Sequence, residues 1–136
     1  MTRLLLDTHV LLFSLAESSR LGQDARLLIA SPENSVFYSP VSLWEVAIKH
    51  AKHPEDMPVS PDELLRYCIE AGYREAPLTS EQVCKLSSID ADPDSPIHSD
   101  PFDRMLICQA IAESMILLTC DTKMLAYENE LILDAR

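Results

Sequence analysis

The sequence lacks any apolar run that approaches the roughly 20 residues of a membrane-spanning helix. With 47% hydrophobic, 6% aromatic and 24% charged residues, its composition is that of a folded globular protein rather than a disordered one. Near the start of the sequence stands Arg3-Leu4-Leu5-Leu6-Asp7, and this acid comes too early for the apolar part of a signal peptide. We therefore expect a cytoplasmic protein, and its 136 residues predict a single domain over 1–136.

Paired metal-binding cysteines are also absent. The four cysteines, at positions 68, 84, 108 and 120, form no C-x-x-C pair and fall inside apolar helix or strand patterns. Cysteines in such patterns are typical of buried free thiols, and their spacing disfavours a zinc site.

Basic residues are few. The sequence has 11 Lys and Arg against 22 Asp and Glu, which gives a formal net charge of -11. This balance disfavours a protein that holds nucleic acid on a broad basic face. Cations bound by carboxylates would offset part of the charge locally. The remainder would still repel RNA, so an RNA-binding function would require weak substrate affinity or the help of an oligomer.

Short apolar runs alternate with helical patterns along the chain. Runs typical of strands occur at 3–7, 35–38, 73–78, 115–120 and 131–133. Helical patterns separate them, at 9–16, 22–30, 39–49, 60–71, 79–86, 100–114 and 123–127. The alternation predicts an α/β fold, a three-layer α/β/α sandwich with a central parallel sheet and right-handed crossovers.

Three aspartates stand where predicted strands end or helices begin. Asp7 and Asp121 each follow a strand, and Asp103 is the third residue of a helix that Asp100 caps and Pro101 opens. Asp7 alone would also suit a cap for the helix after it. Because parallel sheets bind ligands beyond the carboxyl ends of their strands, we expect these carboxylates to converge at that edge.

A fourth acid, Glu45, falls on an apolar stripe. The helix over 39–49 carries Val41, Trp44 and Ile48 at helical spacing, and Glu45 shares their face. A buried glutamate needs a partner, and an ion pair with a basic residue would be enough. Ser42 either orients Glu45 or caps its helix, and the capping role is favoured.

A divalent cation is the economical common partner for the four acids. Carboxylates packed together repel, and without a cation one or more would have to hold a proton. Oxygen ligands without histidine or cysteine favour Mg²⁺ or Mn²⁺ over Zn²⁺. The chemistry that suits such a site best is phosphodiester cleavage by a metal-activated water.

Other polar residues receive simpler interpretations. His9 fits a partly buried packing residue, and His50 with His53 fits a solvated helix end rather than a metal site. The stretch 87–99 carries aspartates at alternate positions, like a calcium loop, but it lacks the turn glycine and the closing glutamate. A loop at the mouth of the site is expected there.

Four sequence blocks are recognisable in order across almost the whole chain. They are Leu-Leu-Asp-Thr-His at 5–9, Ser-Leu-Trp-Glu-Val-Ala-Ile-Lys at 42–49, Asp-Pro-Phe-Asp-Arg-Met-Leu-Ile-Cys-Gln-Ala at 100–110 and Leu-Thr-Cys-Asp at 118–121. With them the sequence resembles the PIN-domain family, and within it the VapC-type toxin ribonucleases of bacterial toxin-antitoxin modules. Asp-Pro-Phe-Asp-Arg together with Trp-Glu is the specific signal.

The resemblance implies a three-layer α/β/α fold and Mg²⁺- or Mn²⁺-dependent endoribonuclease activity. The family's four metal-binding catalytic acids fall on Asp7, Glu45, Asp103 and Asp121. The resemblance also implies a cognate antitoxin that blocks the site, an RNA substrate and a homodimer. The acidic insertion at 90–96 departs from the family pattern.

Auxiliary residues are expected around this set. Asp100 is mainly a helix cap with a place near the site. Thr119 either adds a hydroxyl near the metal or is a buried strand threonine. Arg104 either meets a phosphate or forms an ion pair with Asp100 or Glu45.

Two other functions are compatible with the same fold. The first is phosphoryl transfer through an aspartyl intermediate on Asp7, but that chemistry usually places a second acid two residues later, where this chain has His9. The second is a non-catalytic binding module, which the presence of all four acids disfavours.

Overall fold

The computed structural model describes residues 1–89, 100–127 and 129–136. The strands are β1 (Arg3–Leu6), β2 (Ser35–Tyr38), β3 (Arg74–Glu75), β4 (Ile116–Thr119) and β5 (Ile132–Asp134). All of them run parallel in one sheet, in the order β3-β2-β1-β4-β5. Each predicted strand is confirmed, with β3 shortened to two residues.

Helices connect these strands within the described ranges. They are α1 (Thr8–Leu15), α2 (Gln23–Ala30), α3 (Pro40–Lys52), α4 (Pro61–Glu70), α5 (Ser80–Cys84), α6 (Leu86–Ile89), α7 (Pro101–Glu113) and α8 (Thr122–Leu125). The predicted helix over 79–86 ends early, and α6 occupies the start of the stretch 87–99 that was expected to be irregular. The predicted loop and insertion within 90–99 lie outside the described residues.

Helices cover both faces of the sheet because alternate strand residues point to opposite sides. Leu4 and Leu6 of β1 share a buried cluster with residues of α1, α2 and α4. Leu5, between them, packs with Leu106 and Ile107 of α7 on the other face. The predicted three-layer α/β/α sandwich around a parallel sheet is therefore confirmed.

The strand order reverses direction between β1 and β4. From β1 the chain moves outward through β2 to β3, and then returns to place β4 on the other side of β1. Ligand crevices in open parallel sheets form beyond the carboxyl ends of strands at such a switch point. Asp7 directly follows β1 and Asp121 follows β4 by two residues, so the topology puts both at this crevice.

The inner face of α3 differs from the predicted one. On α3 the buried residues are Val41, Ser42, Glu45 and Val46, whereas Trp44 is 59% exposed. The predicted stripe that grouped Trp44 with Glu45 was therefore wrong for Trp44.

Two of the four cysteines depart from the expected burial. All four are free thiols, but Cys84 is exposed and Cys120 is only partly buried, so the prediction of a buried thiol was wrong for Cys84. Burial raises the pKa of the Cys68 thiol to about 11. Among the described residues, no helix has the length and apolar character needed to cross a membrane.

Candidate active site

An open cleft of about 400 Å³ lies beyond the carboxyl ends of β1 and β4. Its lining residues are charged or titratable throughout: Asp7, His9, Glu45, Lys49, Asp100, Asp103, Asp121 and Lys123. The four predicted acids and Asp100 thus reach one cleft from separate elements of the fold. Ser42, Thr119 and Arg104 are not among its lining residues.

Asp7 is a helix cap and a cleft residue at once. It is 3% exposed, and its Oδ1 accepts a hydrogen bond of 2.8 Å from the Val10 amide at the start of α1. Its Oδ2 accepts a bond of 2.5 Å from the Thr119 hydroxyl. Burial raises the pKa of the Asp7 carboxyl, while these two hydrogen bonds and the nearby His9 oppose the shift. The capping interpretation is correct and does not exclude a place at the site.

Glu45 is held in the cleft by two side chains. The Thr8 hydroxyl donates to its Oε1 at 2.7 Å, and Lys49, one turn further along α3, forms an ion pair with its Oε2. The hydroxyls of Thr8 and Ser42 are themselves hydrogen-bonded at 3.0 Å. The ion pair left open by the sequence therefore exists, and a carboxylate on a buried helix face is compensated as expected.

The cap of α3 corrects the role expected for Ser42. Ser39 accepts a hydrogen bond of 3.0 Å from the Val41 amide and is the N-cap residue. Ser42 lies inside the first turn, fully buried, and contacts Thr8 instead. The favoured capping role was wrong, because the Ser-Pro sequence before Ser42 already supplies the cap.

The start of α7 carries two aspartates with different tasks. Asp100 Oδ1 accepts from the amides of Phe102 and Asp103, at 2.8 and 3.2 Å, and so confirms the predicted cap. Pro101 follows as the first helical residue, which leaves Asp103 in the first turn with its side chain at the cleft. Arg104 comes next and is half-buried. Its predicted role toward phosphate stays a prediction.

Thr119 links the ends of the two central strands. Its hydroxyl donates to Asp7 and accepts a bond of 3.0 Å from the Asp121 amide. Asp121 in turn caps α8 by accepting from the Lys123 amide at 2.8 Å. Thr119 is fully buried at the end of β4, so the interpretation as a buried strand threonine is confirmed, and a hydroxyl near the metal stays a prediction.

The cleft supplies oxygen donors suited to a hard cation. Mg²⁺ and Mn²⁺ prefer carboxylate oxygens, and five carboxyl groups line this one cleft. Within the described residues, three ligand atoms lie within 4.8 Å of one another at His53, Glu55 and Asp56, an exposed group after α3, and not in the cleft. The cleft therefore offers the larger set of oxygen donors.

Several cleft residues were missed by the sequence analysis. His9 was expected to be partly buried but is exposed and lines the cleft. Lys49 stands four residues after Glu45, the usual spacing of a helical ion pair, so that signal was present in the sequence. Thr8 reaches Glu45 across 37 positions of sequence, a contact that only the folded chain creates.

Comparison with known proteins decides the family. The family model for the PIN domain matches residues 4–130. This chain belongs to the PIN domain family. The resemblance found in the sequence blocks is therefore confirmed, and it extends over nearly the whole chain.

Solved structures share this PIN fold at low sequence identity. VapBC2 from Rickettsia felis, bound to a DNA fragment from its promoter, has a TM-score of 0.72 and 14% identity over 99% of this chain and 100% of that chain. DNA-bound VapBC from Salmonella typhimurium has a TM-score of 0.67 and 15% identity, and the match covers 100% of both chains. Comparison with curated proteins finds no significant match.

Proposed function

We propose that this PIN-domain protein is a metal-dependent endoribonuclease and the toxin of a VapBC-type toxin-antitoxin module. The observation that carries the proposal is that Asp7, Glu45, Asp103 and Asp121 line one cleft at the topological switch point. A nuclease needs such a concentration of carboxylates to hold divalent cations against a phosphodiester. Membership of the PIN domain family supports the same conclusion.

The four acids would hold Mg²⁺ or Mn²⁺ between them. Two of them, Asp7 and Glu45, are almost fully buried, and burial together with the nearby charge of Glu45 raises the pKa of Asp7. A cation in the cleft would oppose that shift, because it favours the charged form of every ligand around it. When bound, it would polarise the scissile phosphate and lower the pKa of the attacking water.

The surrounding groups preorganise these acids. Thr119 and the Val10 amide fix the two oxygens of Asp7, and Thr8 orients Glu45. Each engaged oxygen keeps a second lone pair with which it can bind a cation. Hydrogen-bonded partners of this kind orient ligands in metal sites, and their loss typically weakens metal affinity or activity about 10- to 100-fold.

The proposed partners follow from the same assignment. The two structures of similar fold are complexes described as VapBC bound to DNA. For this chain we accordingly propose a cognate antitoxin that blocks the cleft, a homodimeric toxin and a cytoplasmic location. Size-exclusion chromatography of the protein, alone and co-expressed with any small protein found to be encoded next to it, tests the first two.

Phosphoryl transfer through Asp7 is disfavoured by the residue two positions later. That chemistry usually places a second acid there, and this chain has His9, which lines the same cleft as Asp7. Incubation with beryllofluoride should therefore leave Asp7 without an adduct.

Cleavage of RNA tests the proposed activity. Purified protein should cut single-stranded RNA when Mg²⁺ or Mn²⁺ is added and stop when a chelator is added. Asp7→Asn and Asp103→Asn should each lower the rate by at least roughly 100-fold, because each removes a charged ligand rather than a supporting residue. Asp62→Asn, on the exposed start of α4, is the matched control and should cut normally. Unchanged cleavage in both site variants with intact circular dichroism would contradict the assignment.

A further inference from the structure

The single tryptophan of the chain stands in solvent beside the cleft. Trp44 is 59% exposed although it is the largest apolar side chain of α3. Exposure of this kind is unusual for an indole, whose burial would remove a large apolar surface from water. The buried face of α3 consists instead of Val41, Ser42, Glu45 and Val46. An exposed tryptophan next to a catalytic carboxylate invites a binding role.

A second aromatic ring fixes the position of Trp44. Phe102 contacts it with ring centroids 4.9 Å apart and ring planes at 82°. In an edge-to-face pair, whichever ring presents its edge, at least one face of the indole is not covered by the other ring. Phe102 therefore holds Trp44 in place and leaves at least one face of the indole uncovered, on which an aromatic ring of a ligand could stack.

The aromatic pair joins the two helices that carry Glu45 and Asp103, although neither ring is itself a lining residue of the cleft. Trp44 directly precedes Glu45 on α3, and Phe102 directly precedes Asp103 on α7. Glu45 and Asp103 both line the cleft, and so do the cationic side chains of Lys49 and Lys123. A nucleotide with its phosphate in the cleft would thus have a base close to the Trp44-Phe102 pair.

We propose that the indole of Trp44 stacks on an unpaired base of a single-stranded RNA whose backbone enters the acidic cleft. This inference rests on the proposed function and names the form of RNA that the site accepts. Aromatic side chains stack on splayed-out bases in most sequence-tolerant RNA sites. Stacking needs no positive charge, which suits a protein with a net charge of -11.

A protein contact fits this surface less well. The cores of protein interfaces gather several apolar side chains into one patch. Among the described residues of α3 and of the first turn of α7, Trp44 is the one exposed large apolar side chain. A solitary ring beside cleft acids and lysines matches a base platform better than the centre of a protein interface.

Intrinsic fluorescence reports on this residue alone, because the chain has one tryptophan. The probe is a single-stranded RNA of about ten nucleotides, added with Mg²⁺ to the Asp103→Asn variant, in which cleavage should be at least roughly 100-fold slower. We expect saturable quenching of the Trp44 emission. The same RNA annealed to its complement, in which every base is paired, should quench far less. Equal quenching by both forms, or none by either, would overturn the proposal.

Fluorescence anisotropy of the same RNA, carrying a label, measures its affinity for each variant. These affinities distinguish stacking of Trp44 on the RNA from packing of Trp44 within the protein. Trp44→Ala should weaken affinity by roughly 5- to 150-fold, and Trp44→Phe should recover most of the loss. Tyr67→Ala is the matched aromatic control, because Tyr67 lines a different groove with Leu12 and Val59. The loss at Trp44 should be the same at low and high salt, since stacking releases no counterions. Equal affinities of wild type and Trp44→Ala would assign Trp44 to a protein contact instead.

Kinetics distinguish failure of this inference from failure of the proposed function. If both hold, Trp44→Ala raises KM for single-stranded RNA with kcat nearly unchanged, as expected for loss of uniform binding. If the wild type cuts RNA and Trp44→Ala has the same KM, only the stacking role is wrong. If the wild type does not cut RNA with Mg²⁺ or Mn²⁺, the proposed function is wrong whatever the fluorescence shows.

Discussion

Lys49 forms an ion pair with Glu45 inside the cleft, where the Glu45 side chain is 3% exposed and that of Lys49 is 42% exposed. The two residues are one helical turn apart on α3. The Lys49 ammonium group therefore lies beside a buried carboxylate, where a divalent cation would also be stabilised. Both Lys49 and the proposed cation would neutralise the charge of Glu45. The effect of Lys49 on the free energy of unfolding should therefore depend on whether the cation is bound.

Removal of Lys49 should cost stability mainly when metal is absent. Lys49→Met leaves Glu45 buried without a cation, and we expect a loss of about 1–3 kcal/mol in the free energy of unfolding in chelator. Added Mn²⁺ should recover part of that loss, because a cation bound to the folded state alone stabilises it. Urea denaturation with and without Mn²⁺ measures both values. Lys52→Met, exposed on the same helix, should change neither. An equal loss with and without Mn²⁺ would contradict the coupling.

The raised pKa of Asp7 should affect how the free energy of unfolding changes with pH. Burial raises its pKa above the ordinary value of 3.8. Between that value and the raised pKa, the folded state keeps a proton that the unfolded chain has lost. The free energy of unfolding therefore falls as pH rises through this window. In chelator, Asp7→Asn should lack this fall.

Denaturation at a series of pH values, taken as the difference between wild type and variant, isolates the contribution of Asp7 from that of other carboxylates. Asp24→Asn, on the exposed side of α2, serves as the control and should show no such difference. A wild type that gains stability relative to Asp7→Asn as pH rises would show that the pKa of Asp7 is lowered, and would contradict the burial argument.

A buried amide joins three helices away from the cleft. Gln109 of α7 is fully buried. Its Oε1 accepts from the Ser39 hydroxyl at 2.5 Å, and its Nε2 donates to the Ala76 carbonyl at 3.1 Å and to Gln82 at 3.2 Å. Gln109→Leu leaves these groups buried without their partner, which should cost about 2–3 kcal/mol. Gln23→Leu, an exposed position on α2, should stay within about 0.5 kcal/mol. Chemical denaturation of the two variants checks the difference.

The sequence sufficed for the sheet and for the positions of the acids. Apolar runs that end in Asp7 and beside Asp121 identify buried strands, and in a parallel sheet their carboxyl ends must meet at one edge. The cap at Asp100 was predictable for the same reason, because the Asp-Pro pair has a local preference for a helix start. Local chemistry and strand direction together predicted where these side chains lie.

The orientation of α3 was not predictable from periodicity. Helical spacing shows which residues share a face, but Trp44 and Glu45 are neighbours that differ by about 100° around the helix. Hydrophobicity favoured burial of Trp44. In the fold Glu45 is buried instead, because Thr8 and Lys49 satisfy its carboxylate. A contact such as that between Thr8 and Glu45 depends on how distant segments meet, and no local pattern contains it.

Calorimetric titration with Mn²⁺ tests most directly the claim that the cleft acids hold a divalent cation. The part of the chain that the structure describes offers two competing sites, the cleft and the exposed group of His53, Glu55 and Asp56. Glu45→Gln and Glu55→Gln make the same chemical change, one at each site. We predict that wild type and Glu55→Gln bind Mn²⁺ alike and that Glu45→Gln binds at least roughly 10-fold more weakly. Binding that survives Glu45→Gln and is lost in Glu55→Gln would contradict the account.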